Sequence, residues 1–317
     1  MRKLRTIFCG TPDFSVPTLD LLAHHPLIEI VGVVSMPDRP AGRGHELKSP
    51  EVVAYARGAH LPIVQTENIN REDDVLARWE KEGIDLVIVL AFAQFLGKRV
   101  LSLPTRGCFN IHTSLLPKYR GAAPIQYALW NGDTRTGVSI QQMVKQMDAG
   151  DIVHEQPVDI SPHETGGLLT TRLKFQAALA CGDFLTNLHA DKITPRAQDH
   201  TLATFAPTLR KADGHLDFAR LDATQITNRV RAMDPWPGTY CFLDGKRLKV
   251  LRVEGSPHQL APGKLLAQQG ELHVGCASGA LRLPLVQLEG KKPTSDRELL
   301  NGLRGEINLT PPPEGPP

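Results

Sequence analysis

The 317-residue sequence lacks the features that would take a chain into a membrane, across one, or onto a structural metal. Its longest apolar run, Ile84 to Leu96, contains Asp85 and falls short of the roughly 20 residues that a spanning helix needs, so no membrane partner is expected. The N-terminus, M-R-K-L-R-T-I-F-C-G, carries charge but no apolar core or small-residue cleavage site. That argues against a secretory signal and for a cytoplasmic protein. Cysteine is scarce: Cys9, Cys108, Cys181, Cys241 and Cys276 lie far apart with no C-x-x-C pair, so neither a metal site nor a disulfide framework is expected. Charge of one sign is missing too. With a formal net charge of +2, a polyanionic partner would have to be met by local basic patches. A dinucleotide fingerprint is also absent. Gly10-Thr11-Pro12 stands where G-x-G-x-x-G would be, and Pro12 and Pro17 remove main-chain donors that a phosphate cradle uses, which leaves a tight turn.

What is present is an ordinary globular composition, 41% hydrophobic and 22% charged, in a chain long enough for two domains. Strand and helix patterns alternate. Strands are expected at 6–9, 28–34, 63–65, 86–91, 138–143 and 152–160. Helices are expected at 16–23, 51–57, 71–82, 124–130 and 170–189. This order predicts an α/β fold, a Rossmann-like, mainly parallel sheet wrapped by helices. After a proline-containing stretch the pattern changes to one short helix at 222–232 and five short strands, with Asp244-Gly245 as a hairpin turn. A small OB-like β-barrel is the expected architecture there. The domain expectation is therefore 1–190 as an N-terminal catalytic domain, 191–208 as a linker, 209–310 as the barrel and 311–317 as a disordered tail. From Pro207 onward there are 15 Lys and Arg against 12 Asp and Glu, so the positive surplus lies in that half.

Two segments resist a purely structural reading. Residues 35–49, S-M-P-D-R-P-A-G-R-G-H-E-L-K-S, are too rich in Pro and Gly for regular structure and longer than a usual connection. Arg39, Arg43 and Lys48 make the segment locally basic, which suits either a solvated loop or a flexible finger for phosphates. The second is Asn110 to Gly121, N-I-H-T-S-L-L-P-K-Y-R-G, which follows the short apolar run Gly107-Cys108-Phe109. On an extended strand Asn110 and His112 project to one face, at the strand end where open α/β sheets bind ligands. An Asn amide can donate to a developing oxyanion, a His can donate to it or take a proton, and a nearby Asp would hold the imidazole. By spacing alone, a structural Asn and a core His remain equally good readings.

The runs F-C-G-T-P-D-F-S, D-R-P-A-G-R-G, N-I-H-T-S-L-L-P-K-Y-R-G-A-A-P-I-Q, G-V-S-I-Q-Q-M-V-K-Q-M-D-A-G-D-I and D-P-W-P-G-T-Y make the chain resemble, along essentially its whole length, the methionyl-tRNA formyltransferases. The central block is specific to the wider folate-dependent formyltransferase superfamily. The basic loop, the P-W-P-G run and the small C-terminal β domain narrow the resemblance to the tRNA enzymes. It implies Asn110, His112 and Asp148 as the catalytic trio, Ser114, Leu115, Leu116 and Pro117 as folate contacts, and Arg39, Arg43 and Lys48 as contacts to tRNA. It also implies 10-formyltetrahydrofolate as formyl donor without a metal, charged initiator methionyl-tRNA as acceptor, and a monomer. Two departures stand out: His45-Glu46 replaces the lysines often found after G-R-G, and Phe92-Ala93 replaces a Tyr-Gly pair near the expected pterin pocket. A folate-dependent transferase acting on an amino-sugar nucleotide or on glycinamide ribonucleotide would use the same trio and folate. Such an enzyme would not account for the basic loop and the barrel together. An inactive tRNA-binding module would not account for an intact trio.

Overall fold

A computed structural model describes residues 2–41, 46–303, 305 and 307–311. The chain divides into two compact units. The first comprises Met1–Pro124, Thr136–Asp159 and Thr170–Ala206; the second comprises Ile125–Arg135, Ile160–Leu169 and Pro207–Pro317. Residues 191–206, read from the sequence as linker, thus belong to the first unit, and two internal segments belong to the second. The tail expected from 311 falls, beyond Pro311, outside the described residues.

In chain order the strands of the first unit are β1 (Leu4–Gly10), β2 (Ile28–Ser35), β3 (Arg39–Ala41), β4 (Glu46–Lys48), β5 (Ile63–Gln65), β6 (Leu86–Leu90), β7 (Cys108–His112), β8 (Arg120–Gly121), β9 (Arg135–Gln142), β10 (Ile152–Asp159) and β11 (Phe205–Ala206). Seven of them form one sheet in the order β10-β9-β7-β6-β1-β2-β5. The pairs from β7 through β6, β1 and β2 to β5 are parallel, and β9 joins β7 antiparallel. The expected mainly parallel sheet is therefore what forms. Its centre is β6, L-V-I-V-L, in which every residue is buried, as a strand covered on both faces requires.

The helices α1 (Val16–His24), α2 (Glu51–Gly58), α3 (Asp73–Glu82), α4 (Lys98–Leu101), α5 (Pro124–Trp130) and α6 (Gly166–His189) connect these strands. In α3 the carboxylates of Asp73 and Asp74 sit at the positive N-terminal end, and Gly83 at φ 73 ends the helix. Leu76 and Trp79 face inward. The chain then returns to Ile84 and β6, building one core with Ile7, Val34, Val87 and Val89.

The segment 35–49 corrects one expectation. It is not irregular throughout: β3 and β4 form an antiparallel ladder with Arg39 opposite Lys48 and Ala41 opposite Glu46. Its base is tied down, because Asp38 accepts from Gln65 Nε2 at 2.6 Å and Ser49 Oγ accepts from Arg57 at 2.7 Å. Two short strands at an edge tolerate Pro40, which a central strand would not.

The second unit is built on an antiparallel sheet. Its strands are β12 (Thr239–Leu243), β13 (Lys246–Gly255), β14 (Leu265–Gln268), β15 (Glu271–Gly275), β16 (Ala280–Leu288) and β17 (Thr294–Ser295), in the order β12-β13-β16-β15-β14, with β17 on β16. Asp244 and Gly245 both have positive φ, 47 and 77, which is the geometry of the expected hairpin turn. Helices α7 (Ala223–Ala232) and α8 (Asp296–Gly302) each begin with a capping box, Asp222 with Gln225 and Ser295 with Glu298. Apolar side chains including Leu216, Phe218, Leu248 and Leu283 fill the core beneath.

Candidate active site

Strand β7 delivers the site. Its register places Asn110 opposite Gln141 and His112 opposite Ser139 on β9, so four polar side chains share one face at the end of the strand pair. The next residues turn away through Leu116-Pro117, and the chain returns as β8 against β11. Asp148 arrives from the loop after β9. Its φ of 50 puts it in the left-handed region, and Tyr119 at φ 59 is in the same region beside it. Non-glycine residues adopt such backbone only where the surroundings hold them there, and they cluster at functional sites.

The Asp148 carboxylate is the hub. One oxygen accepts from Gln141 Nε2 at 2.8 Å and from Asn110 Nδ2 at 3.3 Å. The other accepts the Gly121 N–H at 2.8 Å and faces His112 Nδ1 at 3.7 Å. That last separation exceeds a hydrogen bond, so the imidazole and the carboxylate face one another in close contact and attract as ions when the ring carries a proton. Their side chains are only 7% and 10% exposed, which leaves the pair little shielded by water. His112 Nε2 lies 2.9 Å from the Tyr119 carbonyl oxygen. A carbonyl can only accept, so Nε2 carries the hydrogen and Nδ1 is the position that gains or loses a proton. Gly121 is required here: its φ is 118, and a Cβ would stand 2.7 Å from the Ala206 carbonyl oxygen.

The neighbouring thiols offer no rival nucleophile. Burial pushes Cys108, at the start of β7, up to about 12, and raises Cys9 well above the usual thiol range with Cys108 adding to the effect. Among the described residues, no group of three or more His, Cys, Asp or Glu could hold a metal ion. Likewise no helix among them is long and apolar enough to cross a membrane.

The other sequence candidates are placed as follows. Ser114 is fully buried and donates to the Lys118 carbonyl at 2.6 Å, while Leu116 N–H donates to Ser139 Oγ at 3.1 Å. The Ser114 hydroxyl and the Leu116 N–H are thus engaged by other protein groups, and the half-buried members of the run are Leu115 and Pro117. Arg39 pairs with Glu67 at 3.1 Å and Lys48 with Glu51 at 2.7 Å, both on the surface. Arg43 and His45 lie outside the described residues. The Phe92-Ala93 stretch is anchored from its flank: Gln94 donates to Thr66 O at 2.6 Å and accepts Ile69 N–H at 2.8 Å.

Sequence reasoning missed Gln141 and Gln198. Gln141 could have been found, because Ser139 and Gln141 alternate with apolar residues in G-V-S-I-Q-Q and both point to the face that Asn110 and His112 occupy. Gln198, in the stretch taken for a linker, gave no such signal.

Residues 3–181 match the family described as formyl transferase, and residues 208–304 match the formyl transferase C-terminal domain. A methionyl-tRNA formyltransferase of Geobacter metallireducens is 40% identical over 310 residues, 98% of this chain and 99% of its own. The Thermotoga neapolitana protein of the same name is 40% identical over 302 residues, 94% of this chain and 95% of its own. Among solved structures, WlaRD, a sugar 3N-formyltransferase with dTDP and 5-N-formyl-THF, superposes with a TM-score of 0.68 at 16% identity, covering 92% of this chain and 100% of that one. HypX from Aquifex aeolicus in complex with tetrahydrofolic acid gives 0.59 at 14% identity, over 94% of this chain and 47% of that one. At such identities these two structures speak for the fold alone.

Proposed function

The chain belongs to the methionyl-tRNA formyltransferase family, and from that premise we propose that Asn110, His112 and Asp148 carry its chemistry. The reaction moves the formyl group of 10-formyltetrahydrofolate to the free α-amine of methionyl-tRNA. The donor supplies a formyl group already activated as an amide. The residues present fit such a group, because Asn110 Nδ2 and His112 Nδ1 converge beside one carboxylate as donors for a carbonyl oxygen. This convergence is the single observation that carries the assignment.

Asn110 donates to the oxygen of the reacting carbon, and protonated His112 donates through Nδ1 as that oxygen gains negative charge. Removing one such donor typically costs about 3–4 kcal/mol of barrier. Asp148 stabilises the imidazolium and, directly or through a water, passes the proton from the attacking nitrogen to the leaving nitrogen. Gln141 and Gly121 keep the carboxylate turned toward this task.

Substrate contacts follow the same reading. Leu115 and Pro117 supply apolar wall for the folate while Ser114 and Leu116 hold the run in shape. Arg39 and Lys48 of the hairpin, with Arg43 beyond the described residues, meet tRNA phosphates. The second unit, with the positive surplus, holds the RNA, the enzyme acts as a monomer in the cytoplasm, and the acceptor is the initiator species. The test is formyl transfer to charged initiator tRNA with free methionine and amino-sugars as competing acceptors. Preference for an amino-sugar would sink the tRNA reading and leave the trio standing. No transfer to any acceptor would leave only an RNA-binding module.

A further inference from the structure

The side chain of Asp148 is held by Gln141, Asn110 and Gly121, but its main chain is held by a different group. Gln198 Nε2 donates to the Asp148 carbonyl at 3.0 Å and to the Gly150 carbonyl at 2.7 Å, bracketing the turn that carries the carboxylate. The other end of this amide is gripped by Arg120: Gln198 Oε1 accepts from Nε at 3.2 Å and from Nη2 at 2.6 Å. An arginine has only donors, so it dictates which end of the amide is oxygen. The NH2 group must then face the two carbonyls. Gln198 is 5% exposed and Arg120 only 2%.

Among the described residues no carboxylate lies within ion-pair reach of Arg120; His200 Nδ1, at 3.0 Å, is its other partner. Burying a cation without a counter-ion is expensive, and the stretch around Gln198 uses what surrounds it to hold the site. Thr204 accepts Tyr119 N–H through Oγ1 at 2.9 Å and Arg120 N–H through its carbonyl at 2.9 Å. Ala206 O accepts Ala123 N–H at 3.1 Å. Residues 198–206 therefore clamp the strip that supplies Tyr119 O to His112 and Gly121 N–H to Asp148.

We propose that Gln198, oriented by Arg120, is a positioning residue for formyl transfer, holding the Asp148–Gly150 turn so that the carboxylate faces His112 and Asn110. The inference rests on the reading of Asp148 given above. Gln198 acts on the reacting atoms only through that turn, so its loss should change the chemical step rather than substrate binding.

The discriminating variant is Gln198→Glu in the full-length chain. Its carboxylate still accepts from Arg120, now as an ion pair, but it cannot donate to the Asp148 and Gly150 carbonyls. kcat should fall at least about tenfold, since a displacement of roughly 1 Å can cost on the order of 100-fold. KM for donor and acceptor should stay near wild type, the acidic limb of the kcat–pH profile should move, and the thermal midpoint should be retained. Arg120→Lys, which still offers a donor to Gln198 Oε1, should keep more turnover than Arg120→Ala. A folded Gln198→Glu with wild-type kcat and pH profile overturns the proposal, as does a set of Gln198 and Arg120 variants that lose only thermal stability. Should Gln198→Glu not fold, a folded Arg120→Ala decides: unchanged kcat and pH profile there refute the role, and a lowered kcat at constant KM that Arg120→Lys largely restores supports it. Asp148→Asn run in parallel separates the two readings. Full activity there removes Asp148 from the chemistry, whereas an inactive Asp148→Asn beside a fully active Gln198→Glu removes only the positioning role.

Discussion

Replacing Asp148 by Asn changes almost no volume and nearly all of the site's electrostatics. The carboxylate uses both oxygens as acceptors: one from Gln141 and Asn110, the other from Gly121 N–H while facing His112. An asparagine must turn its NH2 toward one of these sets. Facing Gln141 and Asn110 it opposes two donors, so it will face Gly121 N–H and forfeit that bond, worth about 1.5–3 kcal/mol for a charged acceptor. The negative partner of His112 disappears as well, and with it the support for a proton on Nδ1. Loss of acid–base participation of this kind costs on the order of 10²–10⁴ in rate, or about 3–5 kcal/mol of barrier. The expected result is therefore a kcat lowered by that factor at nearly constant KM, with a loss of stability no larger than the forfeited Gly121 bond. The assay is the rate of N-formylmethionyl-tRNA formation at saturating 10-formyltetrahydrofolate. His112→Ala and the double variant complete a cycle. Residues acting on one centre should be strongly non-additive, so the double variant should be little worse than the poorer single one. Wild-type turnover in Asp148→Asn, or a double variant that loses the full product of the two single losses, would refute the reasoning.

Arg39→Ala and Lys48→Ala should each weaken tRNA binding uniformly and lower the slope of log K against log salt by about 1, measured by titration at several salt concentrations; an unchanged slope would remove the residue from the phosphate contacts. Their present ion pairs with Glu67 and Glu51 are surface pairs worth about 0–1 kcal/mol and will not prevent the exchange. Gly150→Ala should fail in a different way, because a Cβ there would collide with the Gln142 carbonyl; turnover and thermal midpoint should drop together, and a stable, active variant would show that the turn can shift. In the second unit, burial pushes the Asp296 carboxyl up, but Arg282 and the N–H groups of Leu272 and Arg297 outweigh it, so its pKa lies below the ordinary 3.8. A depressed folded pKa contributes stability that is complete above the unfolded value and is lost as pH falls below 3.8 through the folded one. Asp296→Asn should remove that part of the acid limb of a stability–pH curve, and an unaltered limb would assign it to other carboxylates.

The main sheet was legible because its signals are local. Runs such as L-V-I-V-L between polar turns permit little other than a strand buried on both faces, and Asn110 and His112 share a face through the two-residue repeat of any strand. Helix α8 carried a readable mark as well, the capping box S-D-R-E at Ser295 to Glu298, although it was not among the expected elements. The β3–β4 hairpin was missed because proline and glycine speak for turns without telling a free loop from a short edge ladder between them. The division into units was harder still. Ile125–Arg135 and Ile160–Leu169 join the second unit although they fall inside the first in sequence, and no composition change marks them.

The site itself separates into a legible half and an illegible half for one physical reason. Asn110 and His112 are placed by strand geometry, which is a property of neighbours in sequence. Asp148 and Gln198 are placed by backbone conformation and by hydrogen bonds that reach up to 78 residues along the chain. A left-handed φ of 50 at Asp148 is not encoded by the aspartate. It persists because Gln141 and Gly121 hold the side chain while Gln198 holds the main chain, and each of those is useful only once the fold has formed. The polar residues around Gln198 and Thr204 look like solvated connection in the sequence because their partners, Arg120, Asp148, Gly150 and Tyr119, come from distant segments. A carboxylate held by long-range contacts can be turned toward its histidine, and that same dependence hides its supports from any reading of neighbouring residues alone.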